Sequence, residues 1–419
     1  MIRTSRVALA AALVVVAGCS GGTSVNQGGG FYGTLPLALG PVHEGGVVRV
    51  AETPGAGPNW IFPITPAAQS SLYTINEFQD LFWRPLFWSP VGASPQINYP
   101  LSLVSGPPVY SRANTTVTIN LRKNYMWSDG SPVQARDVVF FFDLLRAAIK
   151  ESPANAGTYS PGFFPDTVKS AVATSRFVVT ISLTKAFNPG WFTDDELALL
   201  YALPSTRWDR GATGTLGDWA SNAADAKKIY DYLAKQSRKL SSYAANPLWQ
   251  DVDGPYHLAA FNPTNGAAVL KPNPAYTGPQ KSHVAEVDLV PFGSAAAEFQ
   301  QLLNGTLDVG FLDFAHLGQA PALRRSGYQI YGLPAFGFYY MPFNFSDQTG
   351  HFNAIIRRLY VRQALAHLVD QRGYISGPFD NAAVPGYGPV PSVPSSPYTP
   401  ANATRNPYPF VTTQPVFVW

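Results

Sequence analysis

The sequence predicts a mixed α/β protein. Some stretches alternate apolar and polar residues with the period of a strand. Others repeat apolar residues with the period of a helix, and the two kinds are interleaved along the chain. Val47 to Val50 reads as a short first strand. Thr116 to Leu121 puts Val117, Ile119 and Leu121 on one face and Thr116, Thr118 and Asn120 on the other, the signature of a half-buried strand. Next comes a helix expected from Val133 to Ile149. It is preceded by the capping-box pattern Ser131-Pro132-Val133-Gln134 and carries Asp137 in its first turn. Phe177 to Leu183 is a second alternating strand, through Val179, Ile181 and Leu183. A helix from Ala224 to Leu240 gathers Ile229, Tyr230 and Leu233 against Lys227, Lys228, Lys235 and Arg238. Short strands are expected at Ala267–Leu270 and Val287–Val290. Val361, Ala364, Leu365, Leu368 and Val369 mark a last amphipathic helix, expected to lie against a core and to stop at Gly373.

The bulk numbers set bounds on this. At 419 residues, 46% hydrophobic and 13% charged, the chain is long enough for two or more lobes with their own cores. The 29 basic residues nearly balance the 26 acidic ones and form no block, so no nucleic-acid partner is expected. Prolines (38) and glycines (36) imply long connections, most visibly from Val384 to Phe410, which should run extended without a helix of its own.

The N-terminus reads as an export signal: Arg3 and Arg6, then an apolar run from Val7 to Ala17. Val16-Ala17-Gly18-Cys19 resembles a bacterial lipobox, which makes Cys19 the expected lipid attachment site and residues 1–19 a lipoprotein signal peptide. An ordinary signal with an incidental cysteine is the competing reading. Residues 20–44 should form a flexible tether, and no later run has transmembrane length. The chain has one cysteine, so an internal disulfide and finger-type Cys/His zinc sites are excluded.

Motifs that carry catalysis are missing. His43, His257, His283, His316, His351 and His367 include no i, i+4 pair and no HExxH. There is no GxSxG, no Walker A loop and no GxGxxG after a strand. Asp194-Asp195-Glu196 is the densest acidic run and is expected to be a solvated helix start. No catalytic residue, metal or cofactor is expected.

Four segments in order resemble the family 5 extracellular solute-binding proteins of bacteria, which include oligopeptide and dipeptide receptors of ABC importers. The first is Trp127-Ser128-Asp129-Gly130-Ser131-Pro132 followed by Ala135-Arg136-Asp137-Val138. The second is Asp253-Gly254-Pro255-Tyr256 with Lys271-Pro272-Asn273-Pro274-Ala275-Tyr276. The third is Leu303-Asn304-Gly305-Thr306-Leu307-Asp308-Val309. The fourth is Phe338-Tyr339-Tyr340-Met341-Pro342-Phe343-Asn344, then Tyr360-Val361-Arg362-Gln363-Ala364-Leu365 and Asp370. Trp127, Asp129, Gly130, Pro132, Asp137, Gly254, Pro255, Tyr256, Asp308, Arg362, Gln363 and Asp370 are fold-signature residues on this reading.

The resemblance implies a two-lobe periplasmic-binding-protein-like fold of class II. Lobe I would hold a sheet domain from residues 45–60 and 189–290 and an additional domain from 61–188. A partial lobe II would cover 291–419, its sheet incomplete because relatives continue beyond the proline-rich arm. It also implies a monomer, lipid-anchored at the outer face of the plasma membrane, that captures peptides between lobes and delivers them to permease subunits. Asn59, Trp60 and Ile61 after the first strand, and Tyr339, Tyr340 and Asn344 in the fourth segment, are the candidate ligand contacts. Core packing is the competing role for each. Alternatives are a non-peptide solute such as a nickel chelate, haem or an oligosaccharide, a secreted lipoprotein hydrolase, or a non-functional truncated remnant.

Overall fold

The computed structural model describes residues 41–88, 96–279, 281–332, 337–393, 395–396 and 398–411. The expected lipid site Cys19, the signal segment, the tether up to residue 40 and the tail after Val411 lie outside the described residues. Two compact units are formed. Within the described residues the first ends at Phe311 and the second begins at Leu312.

Unit 1 holds two sheets of four strands. In the first, β1 (Val47–Ala51) pairs parallel with β8 (Glu286–Val290). Strand β7 (Ala268–Pro272) then pairs antiparallel with β8, and β6 (Tyr256–Phe261) antiparallel with β7. The second sheet is antiparallel throughout, in the order β2 (Val109–Ser111), β3 (Thr116–Asn120), β5 (Val178–Leu183), β4 (Val168–Ser175). Its register sets Val117 against Ile181 and Ile119 against Val179, and all four side chains are buried. The period-2 pattern thus sends one face into the core and one outward.

Helix α1 (Ala135–Glu151) buries Val138, Phe141, Phe142 and Leu145 against this sheet and against α2 (Ala223–Ser237). It starts later than the sequence pattern suggests. Gln134 is the N-cap, and its N–H donates to the Asp137 carboxylate at 2.8 Å, while Pro132 pairs with Met126 in a bridge ahead of the helix. Asp137, not Gln134, supplies the reciprocal bond of the cap, so the expected box is displaced by one helical turn. A nest of indoles fills the centre of unit 1: Trp208 and Trp249 meet edge to face at 5.6 Å, with Trp83 6.1 Å from Trp208.

The unit boundary lies beyond the Pro291 at which a second lobe is expected to start. After β8 the chain forms α3 (Ala295–Leu303) and returns to the edge of β1. There Ala51 N–H donates to Val309 C=O at 2.9 Å, and Arg49 N–H donates to the Asp308 carboxylate at 2.9 Å. These bonds hold the third signature segment in unit 1.

Among its described residues, unit 2 carries helices and no strand longer than a single bridge. They are α4 (Ala320–Arg325), α5 (Phe352–Ile356), α6 (Leu359–His367) and α7 (Gln371–Ser376). The expectation of a core-facing last helix is corrected here: α6 buries no residue, and Leu368 is 61% exposed. Gly373 is not a stop either. It lies inside α7, where its N–H donates to the Asp370 carboxylate at 2.9 Å, so the aspartate caps a new helix. From Val384 to Phe410 the described chain makes turns and extended segments, as its prolines require.

Candidate functional site

The loop leaving the carboxyl end of β1 carries the first three candidate contacts, and it treats them differently. Asn59 is exposed. Trp60 is only 3% exposed, and its indole N–H donates to Ile64 C=O at 3.1 Å. Ile61 is fully buried in the core, and its N–H donates to Ser237 Oγ at 3.1 Å. The Gln79 amide pins the same loop by donating to the carbonyls of Trp60 and Phe62 at 3.0 and 3.2 Å. Asn59 and Trp60 line one open depression of about 350 Å³, shared with Gln69, Asn155 and Arg238. Ile61, expected as a contact, has no exposed surface and does not line it, because its side chain is taken up by the core.

The other three candidates lie in unit 2. Tyr339 is 91% and Tyr340 73% exposed. Tyr339 stacks on Phe379 at 6.2 Å, Tyr340 packs against Phe338 at 5.5 Å, and exposed Asn344 accepts from Ser346 N–H at 3.0 Å. The phenol rings thus present large amphipathic surface, with hydroxyls that have no hydrogen-bond partner among the described residues.

Glu52 is a site that sequence reasoning does not single out. It directly follows β1, its N–H donates to Val290 C=O at 2.9 Å, and its side chain is buried beneath Gly57. Neither carboxyl oxygen has a hydrogen-bond partner among the described residues. Burial first, and the nearby Glu77 carboxylate second, push its pKa up to about 8. The folded chain therefore holds a proton that the unfolded chain releases near pH 4.5. Stability should fall as pH rises from that value towards 8 and then level off. Glu52→Gln, the neutral isostere, should remove this slope and gain roughly 1–3 kcal/mol at pH 8. Urea unfolding of both proteins across pH 5 to 8.5 checks it, and parallel pH profiles would refute it.

The remaining acidic run divides as well. Asp194 and Asp195 are exposed as expected, whereas Glu196 is 2% exposed and faces Thr167 at 3.5 Å. Among the described residues there is no group of three or more His, Cys, Asp or Glu that could hold a metal, and no helix long and apolar enough to cross a membrane.

The signature residues build a frame. Trp127 and Asp137 are buried and joined by the indole N–H at 3.1 Å. Asp129 accepts from Ser131 N–H at 2.8 Å and from Arg207 at 3.1 Å across a turn in which Gly130 takes φ +82°. Gly254 and Pro255 lead into β6, where the Tyr256 hydroxyl donates to Ser282 Oγ at 3.1 Å. In unit 2 the Arg362 guanidinium donates to the carbonyls of Ile356 and Arg357 at 2.7 and 2.8 Å, next to half-buried Gln363.

Comparison with known proteins decides what this frame is. The family model described as "Bacterial extracellular solute-binding proteins, family 5 Middle" matches residues 102–410. The chain belongs to family 5 of the bacterial extracellular solute-binding proteins. A curated relative, the oligopeptide-binding protein OppA of Bacillus subtilis, is 20% identical over 293 residues, 67% of this family 5 chain and 47% of the relative. The chain thus spans about half the length of that relative. The oligopeptide-binding protein AppA of Bacillus subtilis, solved with a nonapeptide, is 16% identical at a TM-score of 0.57, over 84% of this chain and 59% of that one. NikZ of Campylobacter jejuni, solved with Ni(L-His), is 16% identical at a TM-score of 0.51, over 83% and 58%. These likenesses establish the family 5 fold.

Proposed function

We propose that this chain is the lipid-anchored substrate-binding component of an ABC importer, which captures peptides outside the plasma membrane and hands them unaltered to permease subunits. The family match over residues 102–410 carries this reading. The fold it shares with AppA, solved with a nonapeptide, supports peptides as the solute class. Cys19 is the proposed lipid attachment site. Asn59 and Trp60 in unit 1, and Tyr339, Tyr340 and Asn344 in unit 2, are the proposed contacts. Ile61 anchors the loop that carries Asn59 and Trp60, through its burial and its N–H bond to Ser237 Oγ.

The chemistry of these groups suits a peptide. Aromatic rings give contact area at low entropic cost, and amides pair with a ligand backbone without selecting its side chains. A second reading, a nickel–amino acid chelate as solute, is favoured by the fold shared with NikZ.

Titration of the purified chain with a pool of tri- to octapeptides, followed by intrinsic tryptophan fluorescence and calorimetry, should give saturable binding. The nine tryptophans make the optical signal accessible. Binding of Ni(L-His) with no response to peptides would replace the first reading by the second.

A further inference from the structure

Helix α2 ends at Arg238, whose N–H still bonds to Ala234 C=O as the C-cap. Its side chain is exposed, and its guanidinium centre lies 5.9 Å from the Trp60 ring centre, within cation–π range. The indole is fixed by its own bond to Ile64 and by burial, so it acts as a platform that holds the cation in place. Arg238 has no ion pair or side-chain hydrogen bond among the described residues.

The depression that Arg238 borders with Asn59, Trp60, Gln69 and Asn155 contains no carboxylate. The side-chain amides of Asn59 and Gln69 have no hydrogen-bond partner among the described residues. A neighbouring depression, which shares Arg238 and Asn155, holds Glu151 and Asp231, but Lys227 engages both, at 2.8 and 2.7 Å, the Asn155 amide donates to Glu151 at 3.4 Å, and Lys235 lines the same depression. The acids there are offset by two lysines. The guanidinium is therefore the uncompensated charge of the depression, with two neutral amide donors beside it.

We propose that this depression is an anion subsite, in which Arg238 selects a carboxylate side chain of the bound solute. A guanidinium offers a planar fork of donors matched to a carboxylate, and Trp60 orients that fork. Donation from Asn59 and Gln69 completes the shell. The inference rests on the proposed peptide-binding role and narrows it to peptides with acidic side chains.

The test uses two C-terminally amidated probes, Ala-Glu-Glu-Ala and Ala-Gln-Gln-Ala, titrated calorimetrically into the full chain and into Arg238→Met. The glutamate probe should bind the native chain at least about 10-fold more tightly than the glutamine probe, the scale of one charge-assisted hydrogen bond. In Arg238→Met that ratio should fall to about one, with the circular-dichroism melt unchanged. Arg238→Lys should keep part of the preference, since the charge remains and the fork is lost. The same ratio in native and Met proteins overturns the anion subsite and leaves peptide binding intact. Absence of heat with both probes overturns the peptide reading and this inference with it.

Discussion

Asp137→Ala is expected to destabilise the first unit by about 3–5 kcal/mol and to lower its unfolding midpoint by roughly 10 °C. The Asp137 side chain has no exposed surface. One carboxyl oxygen accepts from Trp127 Nε1 at 3.1 Å and from Gln134 N–H at 2.8 Å. The other accepts from Ser205 N–H at 3.1 Å and from the Ser205 hydroxyl. Burial pushes the Asp137 pKa up, and these donors act against that shift. The alanine variant would leave three buried donors and the half-buried Gln134 N–H without an acceptor, and each buried orphan costs about 1–3 kcal/mol before relaxation. It would also remove the acid from the first turn of α1, where the helix dipole favours negative charge. Asp137→Asn is the informative control. Every partner of the carboxylate is a donor, so an amide NH₂ must face at least one of them. The asparagine variant should therefore keep at least half of the loss. Urea unfolding by far-UV circular dichroism measures both, and a loss under about 1 kcal/mol for asparagine would show that shape, not the set of four acceptor contacts, matters at this position.

The same residue shows where the sequence was legible. Trp127, Asp129 and Asp137 stand in a motif, and local rules expose its turn and its helix. The alternating strands are legible almost to the residue, because Val117, Ile119, Val179 and Ile181 point into one core through a period set by the pleat. What local rules cannot show is which distant segment completes a group. Ser205 reaches Asp137 from 68 positions away, and Ser237 reaches Ile61 from 176. The helix start escapes local rules for the same reason, since Ser131 carries the box pattern while Asp137, fixed by Trp127 and Ser205, draws the cap to Gln134. Glu52 was invisible because a glutamate after a strand is ordinarily solvated. Its burial depends on tertiary contacts, among them Gly57, which lies against its carboxylate and against the hairpin end at Asn265. Arg238 falls on the polar face of the expected helix and caps the observed one, but its position over Trp60 depends on the placement of the whole loop.

Gly254→Ala should be as damaging as the loss of Asp137, for a steric reason and not a polar one. Gly254 N–H donates to Phe82 C=O at 2.7 Å, and its own carbonyl accepts from the Asn273 amide at 3.0 Å. On one side Asp253 accepts from Arg84 N–H at 3.0 Å, so the segment lies directly on the backbone of residues 81–84. A Cβ at position 254 would sit 2.7 Å from the Phe82 carbonyl carbon and closer still to Leu81 O. Both obstacles are main chain, and no rotamer change can clear them. Their neighbours Phe82 and Trp83 are fully buried, so the backbone cannot retreat without opening the indole nest. One methyl group there is expected to cost about 3 kcal/mol or more, at the upper end for overpacking, and valine should prevent soluble folding. The effect should be confined to stability. Calorimetric peptide affinity of the alanine variant, measured well below its melting point, should match that of the native chain, since Asn59 and Trp60 belong to a different loop. A melting point within about 2 °C of the native value would mean that the two main-chain segments are not in contact in the folded protein.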